Sequence, residues 1–437
     1  MKTTHGLALT LALGLLVLPL VAPAGGLAQL ATGGTGLAAI QAPVLGPYLG
    51  IWSGDGVNNW GATTAYNRLH GEYLVVWTNE RSASTDIYAR RVHGNGRLEP
   101  WFCVVTGPGK SYYAPAVAYS PAQDQYLIAY TYDVTPTNPD VWATAVSWNG
   151  GWISNPFPIQ QEAERQQYPA VAYNSQNDEF LVVYENYWTG SNFSDIAARR
   201  VRASDRALLS WRNIASGAPD LRTRPDVAYN EARNEYLIVY TYQPGSYLNP
   251  GDVYGKVTSA DMGTLSSEIS IRTGAGCQAE VSVAASPDEY LVAWQDRVCG
   301  TNEADIYARR VNGAGEPQGT TAGFPLTTAP AYQTLPSVAY GAGYGYLVAW
   351  RHVPGTPQVW DVYGRYVRPG HDAAADAEFV ISNTPSWDTG EEVTCSPAGD
   401  CLVVMDNYAG GASDLEIQGR MVMLHRTYLP IVIRGHS

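Results

Sequence analysis

Short apolar runs recur along the whole chain, and polar or turn-forming residues bound each of them. Examples are YLVVW at Tyr73, YLIAY at Tyr126 and YLIVY at Tyr236, which are apolar at nearly every position. Runs of this length that are rich in Val, Ile, Tyr and Trp predict β-strands. Because apolar and polar residues do not alternate within them, both faces of these strands should be covered by other parts of the protein.

The apolar runs belong to a repeating unit of four predicted strands, which we name A to D in chain order. Strand A is typified by PAVAY at Pro115, strand B by YLVVW at Tyr73, and strand D by EFVIS at Glu378. Strand C carries the heptapeptide DIYARRV, and seven versions of it are spaced by roughly 53–57 residues. These versions begin at Asp86, Asp140, Asp195, Asp252, Asp305, Asp361 and Asp414.

The length of the unit narrows the fold. About fifty residues are too few for a two-sheet sandwich, which takes roughly 100. Four strands that are covered on both faces and repeated seven times predict an all-β fold, a seven-bladed β-propeller of four-stranded antiparallel blades. The segment Tyr48–Trp52 has the spacing of a strand D that precedes the first unit, whereas the seventh unit lacks a strand D in this register. We therefore expect an N-terminal strand to complete the last blade, with Thr427–Ile433 as the competing segment.

The N-terminus predicts export. Lys2 is followed by an apolar run to about Ala22, and small residues allow cleavage after Ala24 or after Ala28. The predicted organisation is a signal peptide at 1–28, a linker at 29–46, the propeller at 47–426, and a C-terminal tail or closing strand at 427–437. We expect a secreted or cell-surface monomer without a transmembrane span in the mature chain.

The two best-preserved markers resemble those of a known group of proteins. YLVVW followed by DIYARRV is similar to the unit of exported bacterial repeat proteins that read YLVVW and then DIYxRRV. The resemblance covers essentially all of the mature chain and implies a secreted β-propeller. It implies no particular activity, because a fold does not define a function.

Five cysteines in an exported protein permit disulfides. Cys395 ends strand A and Cys401 begins strand B of the seventh unit, where other units carry a cross-strand aromatic pair, which predicts a disulfide between them. Cys277, before strand A of the fifth unit, and Cys299, in its B–C loop, form the second predicted pair. Cys103 is left over in a strand D and is expected to be buried. The cysteines do not have CxxC spacing, so we predict no cysteine metal site.

The repeated Asp at the start of strand C could suggest a ring of ligands. Strand C is the third strand from the axis, about 10 Å further out than strand A at roughly 4.8 Å per strand, so the carboxylates cannot converge. We expect each Asp to accept hydrogen bonds from nearby backbone N–H groups or to pair with a basic residue such as the Arg of its heptapeptide. Contact with a ligand is the alternative. We predict no metal site and no cofactor, although calcium held by irregular loops stays open.

The start of strand A is the position that can converge at the axis. Through the seven units it reads Thr63, Ala116, Ala170, Asp226, Ser282, Ser337 and Glu392. Asp226 and Glu392, with Arg224 close in sequence, are candidates for a catalytic acid/base pair or a cation site. The alternative is that these acids simply line a wet channel.

The B–C and D–A loops should share one side of the propeller, which we name the candidate face. Aromatic residues accumulate there, and we predict that seven of them bind a ligand: Trp60, Tyr113, Tyr168, Trp188, Tyr247, Trp360 and Trp387. Such side chains suit stacking on a glycan or anchoring an extracellular protein partner, and packing between blades is the alternative for each.

Charge and motifs limit the function classes. The 437-residue chain has a formal net charge of -13 and no basic block, which argues against nucleic-acid binding. We find no HExxH motif, no GxSxG motif and no phosphate-binding loop in the sequence. The leading hypothesis is a non-enzymatic binding module for a glycan or protein. The alternatives are an extracellular polysaccharide hydrolase or lyase with acids at the channel mouth, and a surface structural scaffold.

Overall fold

A computed structural model describes most of the chain after residue 41. The described residues are 42–53, 56–81, 84–135, 138–162, 164–188, 190–191, 193–246, 250–299, 301, 303–354, 359–408 and 415–423. The predicted signal peptide at 1–28, Tyr247, Asp414 and the tail from Thr427 lie outside them. Within these ranges the regular elements are β-strands, and no helix is long and apolar enough to cross a membrane.

The strands follow one another through the described residues with short connections. In chain order they are β1 (Val44–Trp52), β2 (Asn58–Asn67), β3 (Glu72–Arg81), β4 (Ser84–His93), β5 (Phe102–Val105), β6 (Tyr112–Ser120), β7 (Gln125–Thr135), β8 (Asn138–Ser147), β9 (Phe157–Gln160), β10 (Gln166–Asn174), β11 (Glu179–Tyr187), β12 (Ser194–Arg202), β13 (Leu208–Ala215), β14 (Leu221–Asn230), β15 (Glu235–Gln243), β16 (Asp252–Ser259), β17 (Ile269–Arg272), β18 (Cys277–Ala285), β19 (Glu289–Arg297), β20 (Ala304–Asn312), β21 (Phe324–Pro325), β22 (Tyr332–Gly341), β23 (Gly345–Val353), β24 (Asp361–Val367), β25 (Phe379–Ser382), β26 (Trp387–Cys395), β27 (Cys401–Tyr408) and β28 (Leu415–Met423).

Antiparallel pairing joins these strands in sets of four. The sets are β2–β5, β6–β9, β10–β13, β14–β17, β18–β21 and β22–β25, in the order A to D, and a last set of β26, β27, β28 and β1. In the last set β1 pairs with β28, so that Val44 lies opposite Met423 and Leu49 opposite Gly419. The strand β1 begins at Val44, three residues before the predicted start of the propeller and within the predicted linker. Single parallel bridges, such as Ser194 with Leu221, connect some neighbouring sets.

Apolar side chains fill the space between neighbouring sets. The second strand of each set is buried on both faces, as its uniform apolar run predicts; in β19, for example, Tyr290 to Trp294 are 0% exposed. Each core cluster holds residues of two neighbouring sets, as with Leu74 of β3 and Ile128 of β7. The last set packs on the first, because Leu402 of β27 and Val75 of β3 share one cluster.

The first Arg of the strand C heptapeptide joins neighbouring sets. Arg90 donates to the carbonyl oxygen of Ile51 at 2.7 Å, and Arg309 donates to that of Ile271 at 2.7 Å, in each case in strand D of the preceding set. The expectation that this Arg pairs with the Asp of its own heptapeptide is wrong. Asp86 and Arg90 are four residues apart, which in an extended strand is about 13 Å.

Candidate functional site

A β-bulge interrupts each strand A near its start. The register breaks, for example, between Trp60 and Thr63 and between Thr223 and Asp226. One residue of each bulge has a φ angle between 50° and 65°, and these residues are Gly61, Ala114, Tyr168, Arg224, Glu280, Leu335 and Gly390. The predicted entrance residues, such as Asp226 and Glu392, follow two positions later. The bulge therefore sets which side chains face the space between the sets.

A cavity of about 720 Å³, hereafter the channel, is lined by strand A of every set. It brings together the three predicted catalytic candidates Arg224, Asp226 and Glu392. Trp60 and Tyr168, two of the predicted ligand-binding residues, also line it. The further lining residues that sequence reasoning missed include Thr64, Glu280, Gly390 and Asp406.

Asp226 connects two neighbouring strands. Its Oδ1 accepts the N–H of Val227 and its Oδ2 accepts the N–H of Val283 in β18, both at 2.8 Å. Ser282 and Ser337 act in the same way, since each accepts an N–H of the next strand A. Burial raises the pKa of Asp226, although these hydrogen bonds oppose the rise. Both oxygens of Asp226 thus accept backbone N–H groups, and Oδ2 joins its strand to strand A of the next set.

Glu392 is a channel acid whose pKa is well above its ordinary value. Burial and the negative charge of Asp226 raise its pKa to about 8, against a hydrogen bond with Ser337. Its side chain is half-buried because it faces the channel. Near neutral pH the carboxyl of Glu392 is therefore mostly protonated.

Asp406 links the last set to the first from strand B. It is 5% exposed, and its Oδ2 accepts the N–H of Gly61 at 2.9 Å. Burial raises its pKa to about 7, although hydrogen bonds from Gly61 and Ala62 lower it. The sequence contains one signal for this residue: the equivalent position, directly after the apolar core of strand B, is polar in every unit.

Arg224 lies at the mouth of the channel on the candidate face. Its guanidinium lies 4.8 Å from the ring centroid of Tyr168. Burial lowers the pKa of Arg224, but the charges of Glu280 and Glu185 more than offset this and raise it overall. The positive charge of Arg224 is therefore compensated by the carboxylates of Glu280 and Glu185.

The predicted ligand-binding aromatic residues differ in how much surface they offer. Trp188 and Trp387 are 46% and 39% exposed. Trp360 is half-buried. Its ring centroid lies 4.9 Å from that of Trp387 and 4.6 Å from the guanidinium carbon of Arg351. Trp387, Trp360 and Arg351 therefore pack on one another, and we name them the braced aromatic surface. Trp387 is its exposed ring.

The other aromatic residues of the candidate face gather near the channel mouth. Trp60 lies 6.4 Å from Tyr113 between ring centroids, and the Tyr113 hydroxyl donates to Asp133 at 3.1 Å. Tyr168 is covered in part by Arg224. All three are half-buried, so they are partly used for packing.

The six repeated Asp residues of strand C that the structure describes do not line the channel. Asp195 accepts the N–H of Gly217 at 3.2 Å, and Asp252 accepts that of Gly274 at 3.0 Å, so both stabilise the following D–A loop. Asp86 lies 4.0 Å from Arg81, outside its heptapeptide. Burial raises the pKa of Asp140 to about 6. Burial also raises the pKa of Asp305 and Asp361.

Both predicted disulfides are confirmed. Cys277 bonds to Cys299 and Cys395 to Cys401, with Cα–Cα distances of 5.2 Å and 4.0 Å. Cys103 has a free thiol and is half-buried rather than buried. Among the described residues, no group of three or more His, Cys, Asp or Glu could hold a metal ion.

Comparisons with known proteins concern the fold alone. No family model and no curated protein matches the chain. A protein of unknown function from Dyadobacter fermentans is similar at 10% identity and a TM-score of 0.56, over 88% of this chain and 100% of the other. The β-propeller domain of the trilobed protease from Pyrococcus furiosus is similar at 10% identity and a TM-score of 0.50, over 87% and 99%. With the four-stranded antiparallel sheets, these likenesses confirm the prediction of an all-β propeller.

Proposed function

We propose that this protein is a secreted or cell-surface seven-bladed β-propeller that acts as a non-enzymatic binding module for a glycan or protein. Each set of four strands is one blade, and β1 closes the ring as strand D of the last blade. The pairing of β1 with β28 and the shared core of the last and first sets support this closure. The candidate face is the binding surface.

The observation that carries the proposal is the braced aromatic surface on the candidate face. Trp387 is 39% exposed while its ring stacks on Trp360, which in turn lies beside Arg351. An aromatic side chain held in place from below loses little conformational entropy when it binds. It can stack on a sugar ring or fill a pocket of a partner protein. Trp188 offers a further exposed ring on the same face.

A second candidate function is an extracellular polysaccharide hydrolase or lyase. One observation favours it, which is that Asp226, Glu392 and Arg224 line a single channel. The raised pKa of Glu392 would suit a proton donor. Against it, both oxygens of Asp226 already accept backbone N–H groups, so this carboxylate would have to leave structural partners in order to react.

A glycan-array and polysaccharide-hydrolysis screen on the mature protein tests both candidates. We expect binding without turnover, lost in Trp387→Ala. The control is Trp152→Ala, because Trp152 is 58% exposed but lies in a C–D loop at the opposite side. Turnover that disappears in Glu392→Gln would replace the binding proposal with the enzymatic one. N-terminal sequencing of the exported protein decides between cleavage after Ala24 and after Ala28.

A further inference from the structure

Exposed aromatic side chains gather where strand D of the last set meets strand D of the first. Trp101, directly before β5, is 48% exposed, and its ring centroid lies 4.8 Å from that of Trp52 at the end of β1. Trp152 is more exposed still, and its indole N–H donates to the carbonyl oxygen of Cys103 in β5 at 3.1 Å. We name this surface the edge patch, and its residues are Val44, Tyr48, Trp52, Trp101 and Trp152.

The edge patch is particular to this part of the molecule. Trp101 lies three residues before the buried Val104, and Tyr48 holds the same position in the last set, three residues before the buried Ile51. In the fourth, fifth and sixth sets this position is Glu268, Gly323 and Glu378. Single exposed apolar residues are ordinary on a protein surface, whereas a group of them indicates a surface that another segment covers.

The C-terminal tail begins next to the edge patch. Strand β28 ends at Met423, which lies opposite Val44 of β1. Residues 424–437 follow, and the apolar run TYLPIVI occupies 427–433. A fully extended chain spans about 3.5 Å per residue, so the run can extend from about 14 Å to about 35 Å beyond Met423. The nine residues of β1 span about 30 Å, so the run can reach Trp101, which contacts the far end of β1.

The composition of the tail favours it as the segment that covers the edge patch. The run consists of large apolar residues apart from Thr427. The place of strand D in the last set, for which it was the competing segment, is taken by β1. The run therefore gains most by burying its side chains on apolar surface elsewhere. Residues 29–41, which precede β1, are rich in Gly and Ala and present fewer large side chains.

We propose that the run Thr427–Ile433 packs on the edge patch of its own chain and fastens β1 to the first set. The exposed rings of Trp101 and Trp152 are the contact surface, and the branched side chains of the run cover them. This inference goes beyond the proposed function, because the edge patch lies on strands D and not on the candidate face. Binding of a glycan or protein at the candidate face should leave the contact unchanged.

Photocrosslinking of the full mature chain tests the contact. Benzoylphenylalanine in place of Trp101 should crosslink, within one chain, to a peptide that contains residues 427–433, identified by mass spectrometry after proteolysis. The matched control replaces Trp211, which is 38% exposed and lies three residues before Ile214 in the third set, so that the first and second sets separate it from β1. We expect at least ~10-fold more tail crosslink from position 101 than from position 211, because the attached run has a high effective concentration only at the edge patch.

Substitutions in the tail test the apolar nature of the contact. Ile431→Asp together with Ile433→Asp should lower the tail crosslink from position 101 by about 10-fold, because two apolar side chains lose their burial. His436→Asp introduces the same carboxylate outside the run, and it should leave the crosslink unchanged.

Four results would overturn the inference. The first is a crosslink from position 101 mainly to residues 29–41, and the second is a crosslinked dimer, in which a second copy covers the edge patch. The third is equal tail crosslinking from positions 101 and 211, and the fourth is no tail crosslink at all. If the variant at position 101 does not fold, benzoylphenylalanine in place of Trp152 is used with the same expectation.

Discussion

The outer strands C are similar from set to set, whereas the inner ends of strands A differ. DIYARRV occurs twice without change, and its first Arg makes the same contact in both places, from Arg90 to Ile51 and from Arg309 to Ile271. The start of strand A carries five different residue types in seven units. Where strand C carries this Arg, it makes the same contact with strand D of the preceding set, so one solution can be repeated. The inner positions share a single channel, so they need not be equivalent.

The largest effect should come from breaking the repeated contact of strand C. Arg309 is 7% exposed and donates to the carbonyl oxygens of Ile271 and Gln318, at 2.7 Å and 2.9 Å. Arg309→Ala leaves these acceptors without a donor, so we expect a loss of about 2–3 kcal/mol in the free energy of unfolding, measured in urea. Lys256 has the equivalent position in β16 and makes no hydrogen bond or ion pair among the described residues. Lys256→Ala should cost less than about 1 kcal/mol, and an equal cost would refute the assigned role of the Arg.

A slightly smaller effect should follow from removing the disulfide of the last set. At this position the strands A and B of other sets hold an aromatic pair, such as Tyr119 and Tyr126 with ring centroids 4.9 Å apart. Cys395 and Cys401 are six residues apart in sequence, so Cys395→Ala with Cys401→Ala should cost about 2 kcal/mol of loop-closure entropy. Urea unfolding of the double variant and of the wild type without a reducing agent measures it, because a reducing agent would also break the bond between Cys277 and Cys299. A double variant as stable as the wild type would contradict the prediction.

The sequence was sufficient to predict the features that depend on the position of a residue within the repeat. The cysteine pairs followed from counting positions along strands A and B, and the placement of Asp226, Arg224 and Glu392 at one channel followed from the same register. The bulges could not be predicted from the sequence. Their residues with positive φ include Tyr168 and Arg224, and neither Tyr nor Arg has a preference for positive φ.

Other contacts were missed because they depend on a neighbouring set. Asp406 was overlooked since it lies in strand B and acts on Gly61 of the first set. The Arg of strand C was assigned to the wrong partner for the same reason, as its acceptor lies in the preceding set. A repeat pattern defines what one unit contains but not what the next unit presents to it.

The inner region should respond to pH. Glu392 has a pKa of about 8 in the folded protein and 4.5 as its ordinary value. The folded protein therefore keeps a proton that the unfolded chain loses, so stability falls as the pH rises between these values. Glu392→Gln removes this titration, and we expect the variant to gain about 1–2 kcal/mol on the wild type between pH 5 and pH 9, a value reduced for the solvent in the channel. Urea unfolding at several pH values measures it, and an unchanged pH dependence would show that Glu392 is not the buried acid.

The smallest effect concerns a single methyl-for-hydroxyl exchange at the inner end of strand A. In the other six sets the position of Thr64 is a valine, namely Val117, Val171, Val227, Val283, Val338 and Val393. Thr64→Val removes a buried hydroxyl that lacks a partner among the described residues, so the free energy of unfolding should rise by about 1 kcal/mol. The neighbouring Thr394 is the matched control, because its hydroxyl donates to the carbonyl oxygen of Thr64 at 2.8 Å. Thr394→Val should therefore lower stability by about as much. If both variants lose stability, the hydroxyl of Thr64 is satisfied in solution, and the inner region is then as fully bonded as the outer one.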